Sequence, residues 1–169
     1  MPITLAALNS DDQAAFTATL GHIFEHSPWV AEATWPSRPF ADLAALHRAL
    51  CASVASASEE RQLALICAHP DLAGRMARAG ELGSASTAEQ RAAGLDMLSA
   101  EEAARFDQYN ADYRARFAMP FVICARENKK VAILAAFPQR LAHDREQEIA
   151  VALAEIGKIA WLRLVDVVG

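Results

Sequence analysis

One histidine stands where a catalytic acid or base could be held. His69 precedes Pro70 at the end of an apolar helical pattern, in the run Ala-His-Pro-Asp-Leu-Ala-Gly. A histidine so placed can have one ring nitrogen oriented by the protein and the other open to a cleft, as proton transfer near neutral pH requires. It can also be an ordinary helix-terminal histidine that bonds the last carbonyls of its helix. The local sequence alone favours this second interpretation.

A hydroxyl, a carboxylate and an amide form a second candidate cluster. Ser86, Glu89 and Gln90 are spaced i, i+3 and i+4, which places them on one face of a helix. The start of a helix also favours an anion, because backbone N–H groups are unpaired there. The alternative is that Ser86-Thr87-Ala88-Glu89 is a capping box that starts the helix. Capping explains Ser86 and Glu89 and leaves only Gln90 without a role.

Arg163 is the third candidate, because it lies in the apolar stretch Ile159–Val165. Such an arginine either extends along the apolar surface to reach water or is a buried cation that meets a carboxylate with two parallel hydrogen bonds. The sequence does not decide between these two interpretations.

One metal-binding pattern is present. His22-Ile23-Phe24-Glu25-His26 fits the H-x-x-E-H pattern of inverted zinc peptidases. Only three positions of that pattern are fixed, so chance matches are common, and a zinc peptidase needs a third protein ligand. Ser27-Pro28 follows at once, so we interpret the stretch as a helix that ends at a turn and expect no metal. Dinucleotide, Walker and G-x-S-x-G motifs are not found in the sequence.

Composition narrows the class of protein. The chain has 169 residues, 53% of them apolar, and a net charge of -5, which predicts one domain over residues 1–169. No basic block suggests a nucleic-acid partner, and no apolar run reaches the ~18 residues of a membrane span. The first residues lack a signal-peptide pattern. Cys51, Cys67 and Cys124 are far apart among apolar residues, which predicts buried, reduced thiols in the cytoplasm.

Helical periodicity dominates the first part of the chain. We predict a first helix that Asn9 or Ser10 caps and whose apolar face runs from Phe16 to Phe24. A short helix should begin at Ser27-Pro28 and stop at Trp35-Pro36. The spacing of Leu43, Leu46, Leu50 and Val54 predicts a third helix. Ser58 should open a fourth that ends near His69, because Pro70 disfavours helix at the residue before it.

The second part begins with a predicted loop around Ala79–Ser86, since helix-forming residues are few there. Capping boxes at Ser86 and Ser99 predict the next two helices. The second of these carries an aromatic stripe that we take as core: Phe106, Tyr109, Tyr113 and Phe117. After a break at Met119-Pro120, Phe121–Ala125 is predicted to be a buried extended segment.

Two further helices complete the prediction. One is marked by Val131, Leu134, Phe137 and Leu141 and should bend or close near Pro138. The last runs from about Asp144 to Val168. The sequence therefore predicts an all-α protein, a single irregular multi-helix bundle.

Taken in order, these runs resemble one family, the 2-oxo-4-hydroxy-4-carboxy-5-ureidoimidazoline (OHCU) decarboxylases of purine catabolism. The similarity covers about Ala14 to Val168. The runs that carry it are Glu25–Ala31, His69–Gly74, Ser86–Gln90 with Ala93–Leu95, Asn110, Tyr113, Phe117, Pro120–Glu127, Glu155–Ile156, Lys158–Ala160 and Leu162–Leu164. Each run alone is modest, and their order and spacing make the resemblance specific.

The resemblance implies an all-helical fold, usually a homodimer, that releases CO2 from OHCU and forms (S)-allantoin, the last step from urate. The family's substrate carries a C=N bond beside the carbon that bears the carboxylate. It therefore serves as its own electron sink, and the resemblance implies no organic cofactor and no metal.

The same resemblance implies roles for individual residues. His69 is the expected catalytic acid, and Glu89 and Arg163 are its charged partners. The residues expected to line the substrate pocket are Pro70, Ser86, Thr87, Ala88, Glu89 and Gln90, with the main chain of Phe121, Val122, Ile123, Cys124 and Ala125. Tyr109 and Met119 depart from the residues common in the family, and both are packing positions in our interpretation.

Two other functions remain open at this point. A helical module of the same fold could bind a ureide or a partner protein without turnover. A metal-dependent hydrolase could be built on His22 and His26. Turnover of OHCU distinguishes a decarboxylase from the binding module. Activity that persists in a chelator distinguishes it from the metal-dependent hydrolase.

Overall fold

The computed structural model of the chain describes residues 3–74 and 83–169. Regular secondary structure in these ranges is helical, and one isolated parallel bridge joins Ile3 to Val168. The prediction of an all-α protein is thus confirmed. No described helix has the length and apolarity needed to cross a membrane. The chain divides into two compact units, residues 1–68 with 157–169 and residues 69–156. That residues 1–169 form a single domain stays a prediction.

The sequence patterns did not predict the first short helix, Leu5–Ser10, and the other helices of the first unit follow the predicted order. The helices of this unit are α1 (Leu5–Ser10), α2 (Gln13–Leu20), α3 (Trp29–Thr34), α4 (Leu43–Ala55), α5 (Glu59–Cys67) and, from residue 157 onward, the end of the last helix. Ser58 caps α5 as predicted, since its hydroxyl accepts from the Arg61 N–H at 3.3 Å. The α5 helix ends at Cys67, just before the His69-Pro70 pair, as the proline predicts.

The predicted first helix is wrong in its start and its end. Asp12, not Asn9 or Ser10, caps α2, because its carboxylate accepts from the Ala15 N–H at 2.8 Å. The Asn9 side chain instead bonds both polar backbone groups of Phe40, at 2.8 and 2.9 Å. Helix α2 stops at residue 20, so the end of the predicted apolar face lies in the turn that follows, although its residues are buried.

The second unit holds α6 (Ser84–Ala92), α7 (Ala100–Phe117), a 3-10 turn (Ala125–Glu127), α8 (Lys130–Leu141) and the first part of α9 (Arg145–Val167). The capping box at Ser99 is confirmed, because Ser99 and Glu102 each accept from the other's backbone N–H. Three residues of the aromatic stripe, Phe106, Tyr113 and Phe117, lie in the core, whereas Tyr109 is half-buried. Beside them the rings of Phe121 and Phe137 stack with centroids 3.9 Å apart.

Three details of the prediction are wrong. Helix α8 contains Pro138 and ends at Leu141, the last residue of the predicted pattern, and a bend at the proline stays a prediction. Val131, however, is 71% exposed while Ile133 occupies the core. Cys67 is exposed on α5, so only part of the predicted set of buried thiols is buried. Residues 84–86 are helical, so the predicted loop extends too far, and its residues 79–82 lie outside the described residues.

Candidate active site

His69 occupies the position that the sequence predicts, two residues beyond the end of α5. It is 7% exposed. Pro70 beside it is half-buried and cannot continue the helix, because it has no N–H to donate and disfavours helical backbone at the preceding residue. The chain has therefore left the helix before it reaches the histidine, and His69 lies in the loop that follows.

Helix α7 holds the middle of this loop. The Asp71 carboxylate accepts hydrogen bonds from Nε of Arg114 at 3.0 and 3.1 Å, and Nη2 of the same guanidinium lies 2.9 Å from it. Nδ2 of Asn110 donates to the Leu72 carbonyl at 2.9 Å. The guanidinium fork binds both carboxylate oxygens, so it restrains orientation as well as distance.

Helix α6 holds the next residue of the loop. The Ala73 N–H donates to Oε1 of Gln90 at 2.9 Å, and both residues are buried. Ala73 has a φ of 51°, a left-handed backbone that costs a residue with a Cβ about 1–2 kcal/mol. Three successive loop residues are thus each fixed by a side chain from a helix. Residues 71–73 are therefore held in place despite this local strain.

The predicted capping box at Ser86 is wrong. Helix α6 begins at Ser84 with Gly83 as its N-cap, so Ser86 lies inside the first turn. The shared face nevertheless exists, because the i, i+3, i+4 spacing does not depend on where the helix begins. Ser86 and Gln90 are buried and Glu89 is half-buried.

The two residues between them contribute differently. Thr87 is half-buried, whereas Ala88 is exposed on another face of α6. Helix α6 also packs against the 3-10 turn after residue 124, and its end is joined to the start of α8 by the bond from the Lys130 N–H to the Ala93 carbonyl at 3.0 Å. The His69 loop, the α6 face and the Phe121–Ala125 segment are therefore linked within the second unit.

Residues Phe121–Ala125 form the predicted buried extended segment up to the start of the 3-10 turn. Charged side chains bind its backbone at two points. Arg140 donates through Nη1 to the Val122 carbonyl, and Oε2 of Glu155 accepts from the Cys124 N–H at 2.8 Å. Neither the N–H nor the carbonyl of Ile123 bonds to any other described residue.

A buried charge cluster that the sequence reasoning missed supports this segment. Glu148 is fully buried and accepts from Nε and Nη2 of Arg140, the nearest contact being 2.8 Å. The Tyr113 hydroxyl donates to the same carboxylate, and Nδ1 of His143 lies 2.7 Å from it. One weak sequence signal could have indicated the cluster. Arg140 lies three residues after Phe137 and so places a charge on the apolar face of α8.

The cluster shifts the pKa of two of its members. Burial would raise the pKa of Glu148, but hydrogen bonds from Arg140 and Tyr113 outweigh it and hold that pKa below the ordinary value. Burial, with the hydrogen bond to Glu148, raises the pKa of Tyr113 well above its ordinary value. The cluster therefore keeps an ionised carboxylate and a neutral phenol at neutral pH.

Arg163 lies in the first unit and is 6% exposed, so it does not extend to water. Its Nη1 is 2.8 Å from Oε2 of Glu25 and 3.4 Å from the Ile23 carbonyl. Of the two interpretations, the buried cation beside a carboxylate is confirmed, whereas the pair of parallel hydrogen bonds stays a prediction. The carboxylate in the structure belongs to Glu25, and the role of Arg163 toward a substrate stays a prediction.

The possible zinc residues lie in a turn. Helix α2 ends at Leu20, and His22 and His26 are both exposed beyond it. His26 has a φ of 46°, so the stretch does not present the two histidines on one helical face. In the described ranges, no three side chains among His, Cys, Asp and Glu are grouped as metal ligands would be.

Comparison with known proteins agrees with this arrangement. The OHCU decarboxylase family model matches residues 9–165. The 2-oxo-4-hydroxy-4-carboxy-5-ureidoimidazoline decarboxylase of Haloferax volcanii is 42% identical over 164 residues, which cover 97% of this chain and 95% of that protein.

Two solved structures are similar in fold. A crystal structure of (S)-allantoin synthase has a TM-score of 0.78 and 33% identity; the match covers 99% of this chain and 54% of that chain. A crystal structure of OHCU decarboxylase in the presence of (S)-allantoin has a TM-score of 0.70 over 92% of this chain and 97% of that chain. At 20% identity, the second similarity concerns the fold alone.

Proposed function

The chain belongs to the OHCU decarboxylase family, and from this we propose that it decarboxylates OHCU to (S)-allantoin in urate degradation. The observation that carries the proposal is the anchored His69 loop. Asp71, Leu72 and Ala73 are each bound by a side chain of α6 or α7, so the chain that follows the histidine is held in place. Catalytic groups need such preorganisation, because misplacement by about an ångström can cost roughly 100-fold in rate.

The reaction requires no external electron sink. The bond between the ring carbon and the carboxylate breaks, and CO2 leaves. The electron pair of the broken bond forms a C=C bond to the neighbouring ring carbon. The electron pair of the adjacent C=N bond moves to nitrogen, which takes up a proton. The hydroxyl on the ring carbon then loses its proton and becomes a carbonyl. A proton added to the neighbouring carbon creates the stereocentre of (S)-allantoin. The protein must place the ring, direct the carboxylate and control these protons.

We assign the proton transfers to His69, with Glu89 as its charged partner. An imidazole can donate and accept protons near neutral pH. His69 is buried and Glu89 is half-buried on a helix that is bonded to the His69 loop. This shared framework supports the assignment.

Arg163 is our candidate for the group that orients the substrate carboxylate. Its burial and its 2.8 Å contact with Glu25 support a guanidinium held in one orientation. A planar guanidinium can bind a carboxylate with two parallel hydrogen bonds.

The remaining proposed binding residues are the ones that the resemblance implies. They comprise Pro70, the α6 residues 86–90 and the main chain of residues 121–125. Ser86 and Gln90 supply buried polar groups, which suits a ring rich in N–H and C=O groups. Ala88 is exposed and is the weakest member of the set.

Turnover of freshly made OHCU tests the function. We expect the purified protein to speed the loss of the OHCU optical signal, to keep its activity in a chelator and to yield one enantiomer of allantoin. Binding without turnover would replace the proposal with a ureide-binding module. Activity abolished by the chelator and restored by metal would replace it with a metal-dependent enzyme.

We also propose a cytoplasmic homodimer. The three cysteines are free in the structure, which suits a reducing compartment. Met97 is 77% exposed and Val131 71%, and Lys130 brings their segments together by donating to the Met97 carbonyl at 3.1 Å. The family resemblance implies a homodimer, and we propose that these two exposed side chains belong to its contact surface. Light scattering should give twice the chain mass, and Met97→Gln should weaken the dimer; a monomeric wild type would refute it.

A further inference from the structure

We propose that Arg140 and Glu155 are positioning residues that orient and polarise the peptide groups on either side of Ile123, so that its N–H and C=O recognise an amide or ureide of the substrate. This inference rests on the proposed function, because it names the groups that would form hydrogen bonds with the N–H and C=O of the substrate. Neither charged side chain needs to touch the substrate to have this effect.

The first contact acts on the peptide group between Val122 and Ile123. Arg140 donates to the carbonyl oxygen of this group. In a trans peptide the oxygen and the N–H point in opposite directions. The Ile123 N–H therefore points away from the guanidinium. A cation at the oxygen also draws electrons from the nitrogen, which makes the Ile123 N–H a stronger donor.

The second contact acts on the next peptide group with the opposite sign. Glu155 accepts from the Cys124 N–H at 2.8 Å, so the Ile123 carbonyl points away from the carboxylate. An anion at the N–H pushes electron density toward the oxygen, which makes that carbonyl a stronger acceptor. One cation and one anion thus bind one edge of the segment, and the donor and acceptor of Ile123 lie on the other edge.

The side chains that impose this arrangement are themselves fixed. Arg140 is buried, its Cζ lies 4.3 Å from the Phe121 ring centroid, and Glu148 binds two of its nitrogens. Asn128 donates to the Cys124 carbonyl at 2.9 Å, which restrains the segment beyond Ile123.

The free groups of Ile123 define the chemistry of the ligand. Its N–H needs an acceptor and its carbonyl needs a donor, and neither has another partner in the described chain. An amide or ureide offers both on adjacent atoms. Ile123 is half-buried, between Val122 and Cys124, which are both buried, so it is the most accessible residue of the three.

Steady-state kinetics on three variants test the proposal. Arg140→Lys keeps a cation for Glu148 but lacks the fork that reaches Val122 as well. Glu155→Leu removes the acceptor for Cys124, and Glu155→Gln keeps an oxygen that can accept. We expect Arg140→Lys and Glu155→Leu to raise KM by roughly 2- to 10-fold, with kcat changed by less than about 2-fold. Glu155→Gln keeps the orientation of the peptide group but loses the charge, so it should raise KM less than Glu155→Leu does.

Arg38→Lys is the matched control. Arg38 also donates from a part-buried guanidinium to backbone carbonyls, those of Trp35 and Asn9, but it lies in the first unit. We expect it to lower the melting temperature and leave KM unchanged. A KM that rises equally in the control would show that general destabilisation, and not the Ile123 peptide groups, sets substrate affinity.

Amide NMR provides a readout that needs no variant. On titration of wild-type protein with (S)-allantoin, the Ile123 amide proton should shift downfield more than the Cys124 amide proton, because the Cys124 N–H already donates a hydrogen bond to Glu155. Saturation without an Ile123 shift, or unchanged KM in Arg140→Lys and Glu155→Leu, overturns this inference alone. A wild type that neither converts OHCU nor binds (S)-allantoin overturns the proposed function, and this inference with it.

Discussion

Replacing Glu148 with glutamine tests the buried charge cluster that supports the second unit. Glu148 is fully buried and accepts hydrogen bonds from Arg140 and Tyr113, with His143 at 2.7 Å. Glutamine replaces one acceptor oxygen with a donor and removes the counter-ion of Arg140. Breaking a buried ion pair at one partner costs about 3–5 kcal/mol. For a chain of this size, we expect the melting temperature at neutral pH to fall by roughly 6–20 °C.

The loss should depend on pH in one direction. Because hydrogen bonds hold the pKa of Glu148 below its ordinary value in the folded protein, its carboxylate adds stability above the unfolded pKa of about 4.3. That stability is lost as pH falls through the folded pKa. The difference between wild type and Glu148→Gln should therefore be full near neutral pH and shrink on acidification.

Urea unfolding, followed by circular dichroism between about pH 7 and pH 3, measures this difference. Glu102→Gln is the control, because Glu102 forms a more exposed ion pair with Lys130 at 2.9 Å, and glutamine can still accept from the Ser99 N–H. We expect little change in the control. The reasoning is refuted if Glu148→Gln is as stable as wild type, or if its deficit is the same at every pH.

Three further outcomes are expected. Gln90→Met removes the acceptor of the buried Ala73 N–H and should destabilise the protein by about 1–3 kcal/mol in urea unfolding, so unchanged stability would contradict the bond's importance. Cys67 is exposed and Cys124 buried, so mass spectrometry after brief iodoacetamide treatment should find the label on Cys67 first; the reverse order would contradict the packing. Arg163→Lys should decarboxylate OHCU more slowly than the wild type, because lysine lacks the planar fork; full activity would show that Arg163 has a structural role only.

Local patterns predicted the elements whose start or end depends on a few neighbouring residues. Ser58 and Ser99 cap helices as their sequences indicate, because a cap is a contact between residues three apart. The end of α5 before Pro70 is equally local. The same kind of pattern failed at Ser86, because Gly83 already begins α6 and the serine lies inside the helix.

Partners distant in the chain could not be predicted this way. Asn9 is a reasonable cap by its type, but its side chain bonds Phe40, 31 residues away. Arg140 binds the carbonyl of Val122, 18 residues earlier. These contacts depend on how the helices pack, which no local spacing encodes. The face shared by Ser86, Glu89 and Gln90 was predictable, because helical periodicity alone defines it.

The most direct test of the proposed catalytic centre is the rate at which His69→Ala converts freshly made OHCU, measured beside the wild type at equal folded concentration. We expect the wild type to form (S)-allantoin rapidly and the variant to be slower by roughly 100- to 10,000-fold, the usual contribution of a positioned acid–base group. Both proteins should give the same circular dichroism spectrum. Equal rates of (S)-allantoin formation would contradict a catalytic role for His69.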